Sequence, residues 1–150
     1  MALTAGQIPK VANVLNSGVG VVSASSNVVT LGSNTNGATV YTAGASGSRI
    51  ISLVASSDDT VASNIFIFIL RGATVQPLGL VPVAASAGNV TGTRNNDMLN
   101  GTNIPGLPVD NTGRQYISLM PNDVLKAGSL AGLTSAKSVY ITAQGLDYQT

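Results

Sequence analysis

The stretch that most constrains this chain is Ile65 to Leu70, six unbroken apolar residues that hold both of its phenylalanines. The run is short, rich in β-branched and aromatic side chains, and closed by Gly72, which favours a strand over a helix. Side chains alternate between the faces of a strand, so Ile65, Ile67 and Ile69 point one way and Phe66, Phe68 and Leu70 the other. Both faces need cover. An antiparallel sandwich normally leaves one face of each sheet to water and writes that as apolar/polar alternation. Alternation fails here, so the second face is expected to be covered by the chain's own N-terminal segment or by another subunit.

At 150 residues the chain has the size of one domain with a real core. Hydrophobic residues make up 44% of it and charged residues only 9%, against about 25% in an ordinary soluble protein. The exterior must therefore be built of Ser, Thr, Asn, Gly and Ala. Seven basic and six acidic residues give no field that would steer nucleic acid or an anionic membrane. A weakly charged surface also does little to oppose association. Neither a nucleic-acid nor a membrane partner is expected.

Cys, His and Trp are absent, and all six acidic residues are Asp. The chain thus lacks a thiolate nucleophile, an ordinary general base near neutrality, a Ser-His pair and the usual zinc ligands. It reads as a non-enzyme, with no catalytic, cofactor-binding or metal-binding residue to nominate and no cofactor implied. Asp58-Asp59, flanked by Ser57 and Thr60, is expected to cap backbone donors in a turn. Asp97, Asp110 and Asp123 lack the spacing of a dedicated calcium loop. Four tyrosines spread over strands read as cross-strand neighbours, although they are also the residues on which a sugar would stack. No apolar run reaches the ~20 residues of a membrane-spanning helix. The stretch Val11 to Val22 lacks a basic region before Lys10 and is broken by Asn13, Asn16 and Ser17, so it is not expected to be a signal peptide.

Along the chain, residues 1–17 differ from the rest. Ile8, Val11, Val14 and Leu15 recur at helical spacing, Pro9 suits a first turn and Gly18 a stop, so a short helix or an extended arm is expected there. From residue 18 to 150 the turn spacing is that of an all-β chain, a single antiparallel β-sandwich of jelly-roll or Ig-like type. Nine strands are expected: Val19 to Ser23, Asn27 to Leu31, Ala38 to Ala43, Arg49 to Ala55, Asn64 to Leu70, Val75 to Val83, Gln115 to Met120, Val124 to Ala127 and Ser138 to Ala143. Pro77 and Pro82 remove ladder donors and place Val75 to Val83 at a sheet edge. The long segment Ala84 to Gly113 is too apolar at Met98, Leu99, Ile104, Leu107 and Val109 for a solvated linker and should pack down.

Several stretches carry a resemblance. Val40-Tyr41-Thr42-Ala43-Gly44, Ser48-Arg49-Ile50-Ile51-Ser52, Leu99-Asn100-Gly101 with Ile104-Pro105-Gly106-Leu107-Pro108-Val109-Asp110, Asp123-Val124-Leu125-Lys126, and Lys137-Ser138-Val139-Tyr140-Ile141-Thr142-Ala143 leading to Gly145-Leu146-Asp147-Tyr148 resemble the head decoration, or cement, proteins of tailed bacteriophages. The similarity spans about Ala38 to Tyr148. It implies a β-sandwich or jelly roll, made in the host cytoplasm, that sits on the virion's capsid surface. There it would bridge subunits of the major capsid protein as a homo-oligomer, a dimer or trimer. Apolarity nominates the contact residues: Ile8, Val11, Val14 and Leu15 in the N-terminal arm, Phe66 and Phe68 on the outer face of their strand, and Ile104, Leu107 and Val109 in the loop. The alternative is a tail or fibre module binding a host-surface glycan through exposed Tyr, Asn and Asp in a concave site.

Overall fold

A computed structural model describes residues 11–24, 28–30, 36–131 and 133–149, with the side chains of residues 11–13 excepted. The described strands are β1 (Val11–Ser23), β2 (Ala38–Thr42), β3 (Ser48–Ser57), β4 (Ser63–Arg71), β5 (Thr74–Val83), β6 (Asn96–Asp97), β7 (Ile117–Leu119), β8 (Val124–Ser129) and β9 (Ser138–Gln149). They form two antiparallel sheets packed face to face. One runs β1-β9-β3-β6 with β7 also on β3, and the other runs β2-β8-β4-β5. The expected all-β sandwich is therefore what the chain forms.

Period-two alternation builds the core. Ile65, Ile67 and Ile69 of β4, with Leu125 and Ala127 of β8 and Val81 and Val83 of β5, face Ile50, Leu53 and Ala55 of β3 and Val139, Ile141 and Ala143 of β9. A register shift between Ile50 and Ser52 against β9 turns Ile51 out to solvent while both neighbours in the pattern, Ile50 and Leu53, stay buried. The β4–β5 hairpin closes on Gly72-Ala73, and Gly72 takes the positive φ of 60° that a tight two-residue turn needs at its first position.

Phe66 and Phe68 stack against each other, centroids 5.3 Å apart, on the opposite face of β4. Both are buried, at 2% and 0% exposure, under Val29, with Val75 and Leu130 packed alongside. Val29 is held there by its own amide, which donates to the Ser129 carbonyl at 2.9 Å. Of the two covers expected for this face, the described one comes from within the chain, and it is residues near Val29 and Leu130. Phe66 and Phe68, nominated as contact residues, are thus buried by other parts of the described chain.

The helical spacing before Gly18 does not make a helix where the chain is described. From Val11 the backbone is already β1, paired with β9 from Gln149 to Ser138, and no element boundary falls at residue 17. Residues 1–10, Ile8 among them, lie outside the described residues. The expected strand Asn27 to Leu31 is seen only as an isolated parallel bridge from Val28 to Ser129, with Asn27 and Leu31 also outside the description. Pro77 and Pro82 do lie on an outer strand, β5. Among the described residues no helix is long and apolar enough to cross a membrane.

Candidate interaction surface

The carboxylates come first, because chemistry in a chain without His or Cys would have to start from them. Asp147 of β9 gathers Asn16 of β1, Tyr41 of β2 and Ser48 of β3. The Tyr41 hydroxyl donates to Oδ1 at 2.7 Å, the Ser48 hydroxyl to Oδ1 at 2.5 Å, and the Asn16 amide to Oδ2 at 3.1 Å. Burial pushes this carboxyl up, but the three donors outweigh it and hold it below the usual carboxylate range. Burial and the Asp147 carboxylate push the Tyr41 phenol up to about 12. Gly145 makes the arrangement possible, since a Cβ there would lie 2.7 Å from the Tyr41 ring. The cluster ties both sheets together at one end of the sandwich.

Asp123 follows the turn Met120-Pro121-Asn122, in which Pro precedes a residue with φ of 63° and the Asp123 amide donates to the Met120 carbonyl, the requirements of a type II turn. That turn aims the carboxylate at Arg71, whose Nε and Nη2 donate to its two oxygens at 2.9 and 2.7 Å. The Arg71 hydrogen bonds draw the Asp123 carboxyl down despite its burial. Asp110 accepts from the Thr112 hydroxyl and from the Thr112 and Arg114 amides and pairs with Arg49 at 2.8 Å, which brings it to about 2. Arg49 in turn lies 4.0 Å over the Tyr116 ring. Asp58 accepts from the Ser138 amide, and Asp59 from Val61 and Thr134, the turn-capping role the sequence suggested. Every one of these bonds is structural. Among the described residues no three acidic groups gather as a metal site would require.

The nominated contact residues scatter. Ile104 is buried in the main core, and Leu107 packs against it half-buried. Val109 is exposed, on an isolated bridge to Gln115. On β1, Val14 and Leu15 are exposed, Leu15 at 67%, whereas Val11 is placed only by its pairing with Gln149.

The surface that does cohere was only half nominated. Register places Leu15 beside Leu146, Ser17 beside Gln144, Val19 beside Thr142 and Val21 beside Tyr140 on the outer face of β1 and β9. Val19 is 60% exposed, and Val21 and Tyr140 are 43% exposed each. None of these eight residues carries a charge. β3 continues the face with Ser52, Val54 and Ser56, and beyond them Ile51, Ser52, Val54, Asp97, Leu99, Arg114 and Gln115 line a shallow depression of about 420 Å³. The signal was present in the sequence as Leu15, Val19 and Val21, two or four residues apart.

The tyrosines do not gather as a sugar site would need. Tyr41 is buried in the Asp147 cluster, Tyr116 lies under Arg49, and Tyr140 and Tyr148 are about 27 Å apart along β9.

No family model matches the chain, and no curated protein matches it significantly. Among solved structures, one described as the cyanophage Pam1 capsid asymmetric unit contains a similar chain at 15% identity and a TM-score of 0.44, with 97% of this chain and 98% of that chain covered. A likeness that coarse does not bear on role.

Proposed function

We propose that this chain is a structural virion protein that decorates a phage capsid and stabilises it by bridging subunits of the major capsid protein. The observation that carries the reading is the uncharged outer face of β1 and β9, with Leu15, Val19, Val21 and Tyr140 open to solvent. Apolar surface of this kind marks association. At roughly 25 cal/mol per Å² of apolar area removed from water, covering it favours a complex. The carboxylates support the same reading, because they are engaged in holding strands together. A bridge between capsid subunits adds contacts that outward pressure must break. An interface of about 1,200–2,000 Å² suffices for stable binding, and many copies on one particle act together.

Titration of purified protein onto capsids that lack it tests the proposal. Saturation at a fixed copy number, with a higher temperature of capsid disruption, is the expected result. Failure to bind such capsids overturns it.

A further inference from the structure

We infer that the capsid partner meets this surface with an acidic segment, whose carboxylate pairs with Arg114 while an apolar side chain beside it fills the depression next to β3. The inference rests on the capsid reading and specifies the chemistry of the partner at that same face.

The depression, about 420 Å³, continues the uncharged face of β1, β9 and β3, and Ile51, Val54 and Leu99 supply its apolar lining. Its place follows from β3. That strand is met by β7 at residues 48–50 and by β6 at residues 54 and 55, and the register shift between Ile50 and Ser52 turns Ile51 outward in the interval. Ile51 is exposed there and Val54 half-buried, so an apolar side chain set against them leaves water on both sides of the contact.

Arg114 is the cation of the depression. Arg49 and Arg71 are each held by an aspartate, Asp110 and Asp123. Arg114 is fixed only through its backbone. Its amide donates to Asp110 Oδ1 at 2.9 Å and its carbonyl accepts from the Asp110 amide at 2.9 Å, with Gly113 closing the turn at a φ of 82°. The guanidinium itself is exposed and makes no hydrogen bond or ion pair with any described residue. A fixed stem that carries a free guanidinium is preorganised for a carboxylate, which the planar fork can take through two parallel bonds.

Asp97 also lines the depression and by itself favours a cation. It is already engaged, however. Its Oδ1 accepts from the Leu99 amide at 3.0 Å, and its carbonyl accepts from the side-chain amides of Asn100 and Asn103, so it builds the turn that places Leu99. Arg114 carries no such duty in its head group. Arginine is also enriched at the centres of protein interfaces, where aspartate is depleted. The sign of the partner's charge is therefore negative.

The test titrates capsids that lack the chain with the parent, Arg114→Glu, Arg114→Lys and Asp97→Asn proteins at several ionic strengths, each checked by its thermal melt. Arg114→Glu should keep the parent's melt and raise Kd at least about tenfold, because a hydrogen-bonded charge pair covered by an interface is replaced by repulsion. The gap should narrow as salt rises. Arg114→Lys, which keeps the charge and loses the fork, should fall between them, and Asp97→Asn should bind at least as tightly as the parent. Saturation by the parent with equal binding of Arg114→Glu overturns the inference and leaves the capsid reading standing. Tighter binding of Arg114→Glu, with a loss for Asp97→Asn, assigns a basic segment and overturns it likewise. No binding by the parent overturns the capsid reading, and this inference with it.

Discussion

β1 and β5 are both long strands at the ends of the described sheet orders, one on each sheet, and they are built in opposite ways. β5 removes two donors with Pro77 and Pro82 and shifts register near Leu78, between the Ile67–Gly79 and Phe68–Pro77 pairs. It also lies close under the loop at Asn103, where a Cβ on Gly79 would meet the Asn103 carbonyl oxygen at 2.6 Å. β1 has an irregularity only at its start, between Ala12 and Val14, and from there runs regularly with Leu15, Val19 and Val21 facing water. β5 thus interrupts its ladder with proline, whereas β1 carries neither proline nor charge along its length.

The faces beside these edges differ in the same sense, and mutation separates them. Phe68→Ala empties the covered outer face of β4, next to β5, and should lower the unfolding free energy by about 3–5 kcal/mol in a denaturant titration. Asp147→Ala should cost about 2–3 kcal/mol by the same measurement, because it takes charged-group hydrogen bonds from Asn16, Tyr41 and Ser48 at once and so loosens β1. Gly18→Ala drives a methyl against the Val40 carbonyl and should cost about 1–3 kcal/mol, prising β1 from β2. Val19→Lys should change stability by less than about 0.5 kcal/mol, since its side chain faces solvent, while weakening binding to capsids through the outer face of β1 and β9. Phe68→Ala would have the reverse profile. If Val19→Lys proved as destabilising as Phe68→Ala, the contrast between the two sides would be lost.

The pH dependence bears on the cluster that anchors β1. Asp147, Asp59, Asp110 and Asp123 all lie below the usual carboxylate range. Their contribution is present above the unfolded value near 4 and is lost as pH falls through the folded values, which for Asp110 is about 2. Tyr41 has the opposite sign. Raised to about 12, it contributes fully below its unfolded value of about 10 and loses that contribution as pH rises through 12. Thermal melts should therefore fall below about pH 4 and again above about pH 10, and Tyr41→Phe should weaken the alkaline limb.

The sheet face of β4 was legible in the sequence because period two alone sorts Ile65, Ile67 and Ile69 from Phe66 and Phe68. What covers the phenylalanines was not, since Val29 and Leu130 lie far off in the chain and no local pattern links them. Of the helix and the extended arm that the sequence left open before Gly18, the pattern of β1 could not choose for a specific reason. Its inward positions include Gly18 and Gly20, chosen for close approach to β2, and glycines write no hydrophobic alternation. The remaining apolar residues, Val11, Val14 and Leu15, then fell by chance at helical spacing. The Asp147 cluster escaped notice because Asn16, Tyr41 and Ser48 reach it from three separate strands. The capping role of Asp59 was readable through its near neighbour Val61, whereas its bonds from Thr134 and that of Asp58 from Ser138 come from distant parts of the chain. Of the loop residues, the packing of Ile104 was legible from apolarity alone, whereas Val109 is just as apolar and stays exposed.

The most direct measurement adds three proteins in turn to capsids that lack the chain: the parent, Val19→Lys on β1, and Gln76→Lys at an exposed position of β5. The parent and Gln76→Lys should saturate at the same fixed ratio and raise the disruption temperature equally, while Val19→Lys should fail to do either. Equal behaviour of all three, or no binding by the parent, would contradict a chain that works by presenting the β1 side of its sandwich to a neighbour.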